Sequence, residues 1–71
     1  MDEITKEMLS KFTFPVRFHE GSGYILDATD QMVGEVRAWG MLQYHKNPEE
    51  LQDALGRFMA DAINEKWEKM K

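Results

Sequence analysis

At 71 residues, with no cysteine and a net charge of −4, the chain has room for one small domain and no disulfide or thiolate chemistry. The acidic balance argues against a general nucleic-acid binder, and no apolar run approaches the ~20 residues that cross a bilayer. So short a core is marginal, and six methionines and four phenylalanines supply large, adaptable side chains for it or for an interface.

The first segment, residues 1–11, predicts a short helix or arm. Ile4 and Met8 lie one turn apart with Leu9 beside them, acids come first, and Lys11 comes last, which suits the helix dipole. A helix this short needs something to dock against. The opening MDEITKEMLS also lacks the basic region and apolar core of a secretory signal, so a cytoplasmic protein is expected.

Residues 12–45 predict a three-stranded antiparallel β-meander. Phe12, Phe14, Val16 and Phe18 alternate with Thr13, Pro15, Arg17 and His19, the period-two pattern of a half-buried strand. Pro15 has no amide to donate, which makes this an edge strand. Gly21 and Gly23 mark a turn. The second strand runs from Tyr24 to Ala28 with Tyr24, Leu26 and Ala28 on the core side, and its turn centres on Thr29, Asp30 and Gln31. One long third strand is expected from Met32 to Tyr44, with Val36 among its inward even positions and a bend or bulge at Gly40. Pairing Ala28 with Met32 and Tyr24 with Val36 sets core against core, whereas a one-residue slip turns Glu35 inward.

Residues 47–70 predict a long helix. Asn47 is placed to cap it, Pro48 suits its first turn, and Glu49 and Glu50 sit at the positive end of the dipole. Leu51, Leu55, Phe58, Met59, Ala62 and Ile63 follow helical spacing and form the expected buried stripe. Gly56 either permits close approach to the sheet or is a tolerated defect costing about 1 kcal/mol. Lys66 falls into the stripe, so the last turns are expected to run past the core. The whole is α+β and two-layered, with the long helix on one face of the meander and a short helix before it.

Chemistry finds little to work with. His19 and Glu20 are adjacent and His45 is distant, a spacing that fits no metal or acid–base site. Asp27 and Asp30 flank the hairpin turn, where aspartates usually bond to nearby amides. The glycines of HEGSGY have no following helix and no Lys-Ser/Thr pair, so they make no phosphate loop. No catalytic residue, cofactor or metal is assigned.

One helix covers only one side of a sheet, and the opposite face carries Ile25, Val33, Trp39 and Met41 bordered by Arg37. Either residues 2–11 fold back over this set, or it is an interface to a second copy or another protein. The interface is the expectation carried forward, with Trp67 and Met70 as a secondary contact on the helix tail.

The run GYILDATDQMVGEVRAWGMLQY, followed by EELQDALGRFMADAINEKW, resembles small proteins encoded in tailed phages and prophages of bacteria, from Phe14 to Trp67. GYILDA, VGEVRAWG, LQY and EELQDALG carry the resemblance. These are structural words, and no functional residue comes with them. The resemblance implies an accessory protein in the cytoplasm of a bacterial host, of a kind that often binds host proteins.

Three function classes follow. The leading expectation is a non-enzymatic interaction module, self-associating as a homodimer or acting on a host protein. The second is a nucleic-acid-linked role, through Arg17, Arg37 and Lys46 or by mimicry of DNA with the acids. The third is a small metal-dependent enzyme using His19 and His45.

Overall fold

A computed structural model describes residues 2–37 and 46–71. The elements run α1 (Glu3–Ser10), β1 (Arg17–His19), β2 (Tyr24–Leu26), β3 (Met32–Glu35) and α2 (Pro48–Met70). The fold is α+β. Its sheet is an antiparallel meander in the order β1-β2-β3, and α2 lies across β1 and β2.

The strands are shorter than their alternating patterns, and β2 has the opposite parity to the one expected. Phe18 pairs with Ile25, and Ile25 with Gly34. Ile25 is therefore the inward residue of β2, only 2% exposed, while Tyr24 faces out opposite His19 and Glu35. The expected pairs Ala28–Met32 and Tyr24–Val36 do not form. A register shift between Ile25 and Leu26 sets Leu26 against Met32, leaving Val33 as the extra residue of a bulge. The alternation expected along the third strand is broken there: Met32 is exposed, whereas Val36 is buried as anticipated. The proposed bend at Gly40 and the strand beyond Arg37 lie outside the described residues.

The reason for the inverted parity is Asp27. Its side chain is 1% exposed, and its carboxylate accepts from the Thr13 amide at 2.9 Å, the Thr29 amide at 2.9 Å, the Thr29 hydroxyl at 2.8 Å and the Gln31 amide at 2.9 Å. A turn built round a buried carboxylate demands that Asp27 point inward, and Ile25 two residues earlier follows it. Asp30 completes the turn in the left-handed region at φ 70° and forms an ion pair with Arg17. At the other hairpin, Gly23 (φ 80°) is buried, and a Cβ there would stand 2.9 Å from the Val36 carbonyl oxygen.

The core is small: Val16, Ile25, Val36 and Ala60, with Phe14, Phe18, Val33 and Ile63 packed around it. The helix contributes its small side chains. Gly56 and Ala60 are its buried residues, and Gly56 lets the Phe18 ring lie against the helix backbone. Of the two roles open to Gly56, close approach is the one observed. The expected stripe of Leu51, Leu55, Phe58, Met59, Ala62 and Ile63 is corrected by this arrangement. Ile63 packs on the core and Leu51 is half-buried, but Leu55, Phe58, Met59 and Ala62 are exposed.

Asn64, one turn beyond Ala60, takes the Val16 amide on Oδ1 at 2.7 Å and donates from Nδ2 to the Val16 carbonyl at 2.8 Å. One side chain thus satisfies both main-chain groups of a buried residue. At the start of α2, Asn47 caps through its carbonyl, which accepts from the Leu51 amide at 3.1 Å; the expected side-chain cap does not form. In α1 the Asp2 carboxylate accepts from the Thr5 amide at 2.7 Å, a bond that holds its pKa below the ordinary value.

Candidate interaction site

Among the described residues, the outer face of the sheet does not carry the apolar set of Ile25 and Val33 that the sequence suggested. Arg17, His19, Tyr24, Met32 and Glu35 are exposed there, in a mostly polar mixture. Ile25 belongs to the core instead, and Val33 is half-buried at the bulge, packed against the core. Arg37 is exposed and paired with Glu35. Trp39 and Met41 lie outside the described residues. Nor does α1 cover this face, because Met8 and Leu9 line a cleft against the tail of α2.

Among the described residues, exposed large apolar side chains occur on α1 (Ile4, Met8), on the sheet (Tyr24, Met32) and together on one face of α2. Leu55, Phe58, Met59 and Ala62 recur at helical spacing on the side turned away from Gly56, Ala60 and Asn64. Phe58 is 71% exposed. The helix therefore has two faces of the same period: a narrow one of small residues against the sheet, and a wide one of large residues toward solvent. The spacing of Gly56 and Ala60, four apart, is the signal that could have identified the packed face, since small residues mark where backbones approach. Hydrophobicity alone favours the wrong face.

A second apolar feature is a cleft of about 520 Å³ between α1 and the last turns of α2, lined among others by Met8, Leu9, Phe12, Ile63, Trp67 and Met70. Phe14 and Trp67 stack beneath it, with ring centroids 4.4 Å apart and planes 11° from parallel. Near-parallel stacking at this distance adds to the area that the two rings bury. Trp67 is thus an anchor between the helix tail and the segment before β1. The last turns run past the buried residues of α2, which end at Ala60, and Trp67 and Met70 are half-buried there, as the position of Lys66 suggested.

The polar residues singled out in the sequence are placed in structural roles. The Thr13 amide above all, with the Thr29 hydroxyl and the Gln31 and Thr29 amides, pulls the Asp27 carboxyl down to about 2 against the cost of burial. A carboxylate so stabilised holds its loop and is mismatched to proton transfer near neutral pH. His19 shares a hydrogen bond with the Ser22 hydroxyl at 2.8 Å. Glu20 pairs with Arg57, joining the first hairpin to α2. His45 lies outside the described residues, among which no three His, Cys, Asp or Glu side chains group as metal ligands. Of the cations considered for nucleic acid, Arg17 and Arg37 are each paired with a carboxylate, while Lys46 is exposed at the approach to α2. No described helix is long and apolar enough to cross a membrane. No family model, curated protein or solved structure matches the chain.

Proposed function

We propose that the protein is a non-enzymatic interaction module that pairs with a second copy of itself through the outer face of α2. The observation that carries this is the row of Leu55, Phe58 and Met59, large apolar side chains exposed together on one helix face. Such rows meet in antiparallel or crossed helix pairs, where ridges of one helix fill grooves of the other.

The surface area supports the same reading. The chain exposes 5463 Å², whereas a compact monomer of 8.3 kDa exposes about 4,600 Å². A host protein is the alternative occupant of this row, favoured by the likeness of EELQDALG and its neighbours to phage accessory proteins.

Sedimentation equilibrium over a wide concentration range tests the proposal. Wild type is expected to dimerise, and Phe58→Lys to weaken the dimer at least ~30-fold, the effect of a central aromatic worth about 2 kcal/mol. The helical circular dichroism of the variant should be unchanged. A wild type that stays monomeric at the highest concentrations overturns self-association. If it does, binding of a host protein that Phe58→Lys abolishes identifies the alternative occupant.

A further inference from the structure

We propose that the cleft between α1 and the tail of α2 binds a free amphiphile with one apolar chain and one carboxylate head, a ligand of the fatty-acid class. Its volume, about 520 Å³, lies within the ~300–1,000 Å³ of ordinary ligand pockets. Its walls are methionine, leucine, isoleucine and aromatic carbon. Met8 on α1 and Met70 on α2 both line it, and such unbranched, adaptable side chains suit a flexible chain more than a rigid ring system.

The head group is chosen by charge. The chain has 13 acidic residues against 9 basic ones, yet the cleft and its continuation past Trp67 are lined by Lys66, Lys6 and Lys71 and by no carboxylate. Lys71 pairs with Glu68 and Lys6 with Glu3. Lys66 pairs with no carboxylate among the described residues. It lines the cleft beside Ala62 and is exposed, with Glu65 next to it on the neighbouring surface, so its flexible stem can carry an ammonium to a head group that emerges there. An acidic protein with a basic lip on an apolar cleft selects an anion with an apolar tail. The cleft shares Ala62 with the exposed face of α2 but is lined by none of Leu55, Phe58 and Met59, which carry the proposed dimer contact.

The test is titration of the full chain with dodecanoate below its micelle concentration, read by calorimetry and by the methyl signals of 13C-methionine. Saturable binding with one ligand per chain is expected, with a dissociation constant on the order of 10 µM. The Met8 and Met70 methyls should shift while those of Met32 and Met59, elsewhere on the surface, stay in place. Lys66→Gln should weaken dodecanoate about 3–5-fold, the upper range for an exposed ion pair, and Lys66→Glu about tenfold or more. Neither substitution should weaken dodecyltrimethylammonium, which shares the tail and reverses the head. Lack of saturable dodecanoate binding overturns the proposal. So do shifts confined to Met59, equal affinity of wild type for the two amphiphiles, or binding to phosphatidylglycerol vesicles without binding to monomeric dodecanoate.

Discussion

Replacing Gly56 by alanine asks whether the sheet really sits against the helix backbone. In an exposed helix this change stabilises by about 1 kcal/mol, because alanine loses less backbone freedom. Here the added Cβ would lie 2.7 Å from Phe18 Cγ and closer still to two ring carbons, against the ~3.5–4.0 Å of a relaxed carbon contact. Cγ sits on the ring's own rotation axis, so flipping the ring does not clear it. Either Phe18 leaves its rotamer or α2 backs off by nearly 1 Å, loosening Ala60 and the Asn64–Val16 bonds. Overpacking of this kind costs typically about 1–3 kcal/mol, and an atom that cannot swing aside argues for the upper end. The net loss is then about 2 kcal/mol. It compares with a total of about 4–10 kcal/mol for a domain of this length and lowers the melting temperature by roughly 8–16 °C. Urea and thermal melts followed by circular dichroism measure it. Phe18→Ala, made alone and with Gly56→Ala, completes a cycle in which the two changes should couple by about 3 kcal/mol, the clash being lost and the helix gain kept, so that the double variant is more stable than additivity predicts. A Gly56→Ala protein about 1 kcal/mol more stable than wild type, with no coupling, would refute the close approach.

Further outcomes follow from the polar joints. The folded pKa of Asp27, about 2, lies below its ordinary 3.8, so its stabilisation is fully present above ordinary carboxylate pH and is lost as pH falls from about 4 toward 2. Melting temperatures taken between pH 7 and pH 2 should fall steeply in that window for wild type. They should fall less for Asp27→Asn, which starts less stable, and parallel curves would contradict the assignment. Asn64→Leu strips both partners from the buried Val16 main chain and should cost about 1–3 kcal/mol, whereas Asn64→Gln, with the amide displaced by one methylene, should not restore it. Denaturant midpoints decide this, and a Leu variant as stable as wild type would mean that water serves Val16 equally well. Gly23→Ala, strained at φ 80° and pressed on the Val36 oxygen, should destabilise by more than about 1 kcal/mol in the same melts.

Element order and type were legible because each element carries its own punctuation. Period-two apolar residues precede Arg17–His19, Gly21 and Gly23 supply the positive dihedrals of the first hairpin, and Pro48 with two following acids opens the long helix. The faces were harder. Tyr24, Leu26 and Ala28 look like a core set, and only the depth of Asp27, a charged residue buried by its four acceptor bonds, reverses them. Side-chain hydrophobicity does not record whether an aspartate has amides enough to go inside. The helix misleads for a related reason: Gly56 and Ala60 bring almost no hydrophobicity, while Leu55 and Phe58 bring a great deal. Packing rewards fit, and the large side chains on this interface come from the sheet. The cleft depends on where α1 docks, which no local pattern in residues 2–11 specifies. Trp67 and Met70 were recognisable as unusual for a helix tail, but Phe14, on which Trp67 stacks, and Met8, which lines the same cleft as Met70, are distant in the chain.

The Asn64 amide has one further effect, on how this protein behaves in crowded solution. A sheet's outer strand normally leaves alternate amides and carbonyls open, a template on which another chain can zip itself and begin a fibril. At the approach to β1 that template is closed. Pro15 has no proton to offer, and both hydrogen-bonding groups of Val16 are occupied by a side chain that a stray strand must first displace. Only Arg17–His19 remain beyond it, too few residues to hold an incoming strand in register. At the β1 edge, then, association is left to side-chain docking, which is reversible, and kept away from backbone pairing, which often is not.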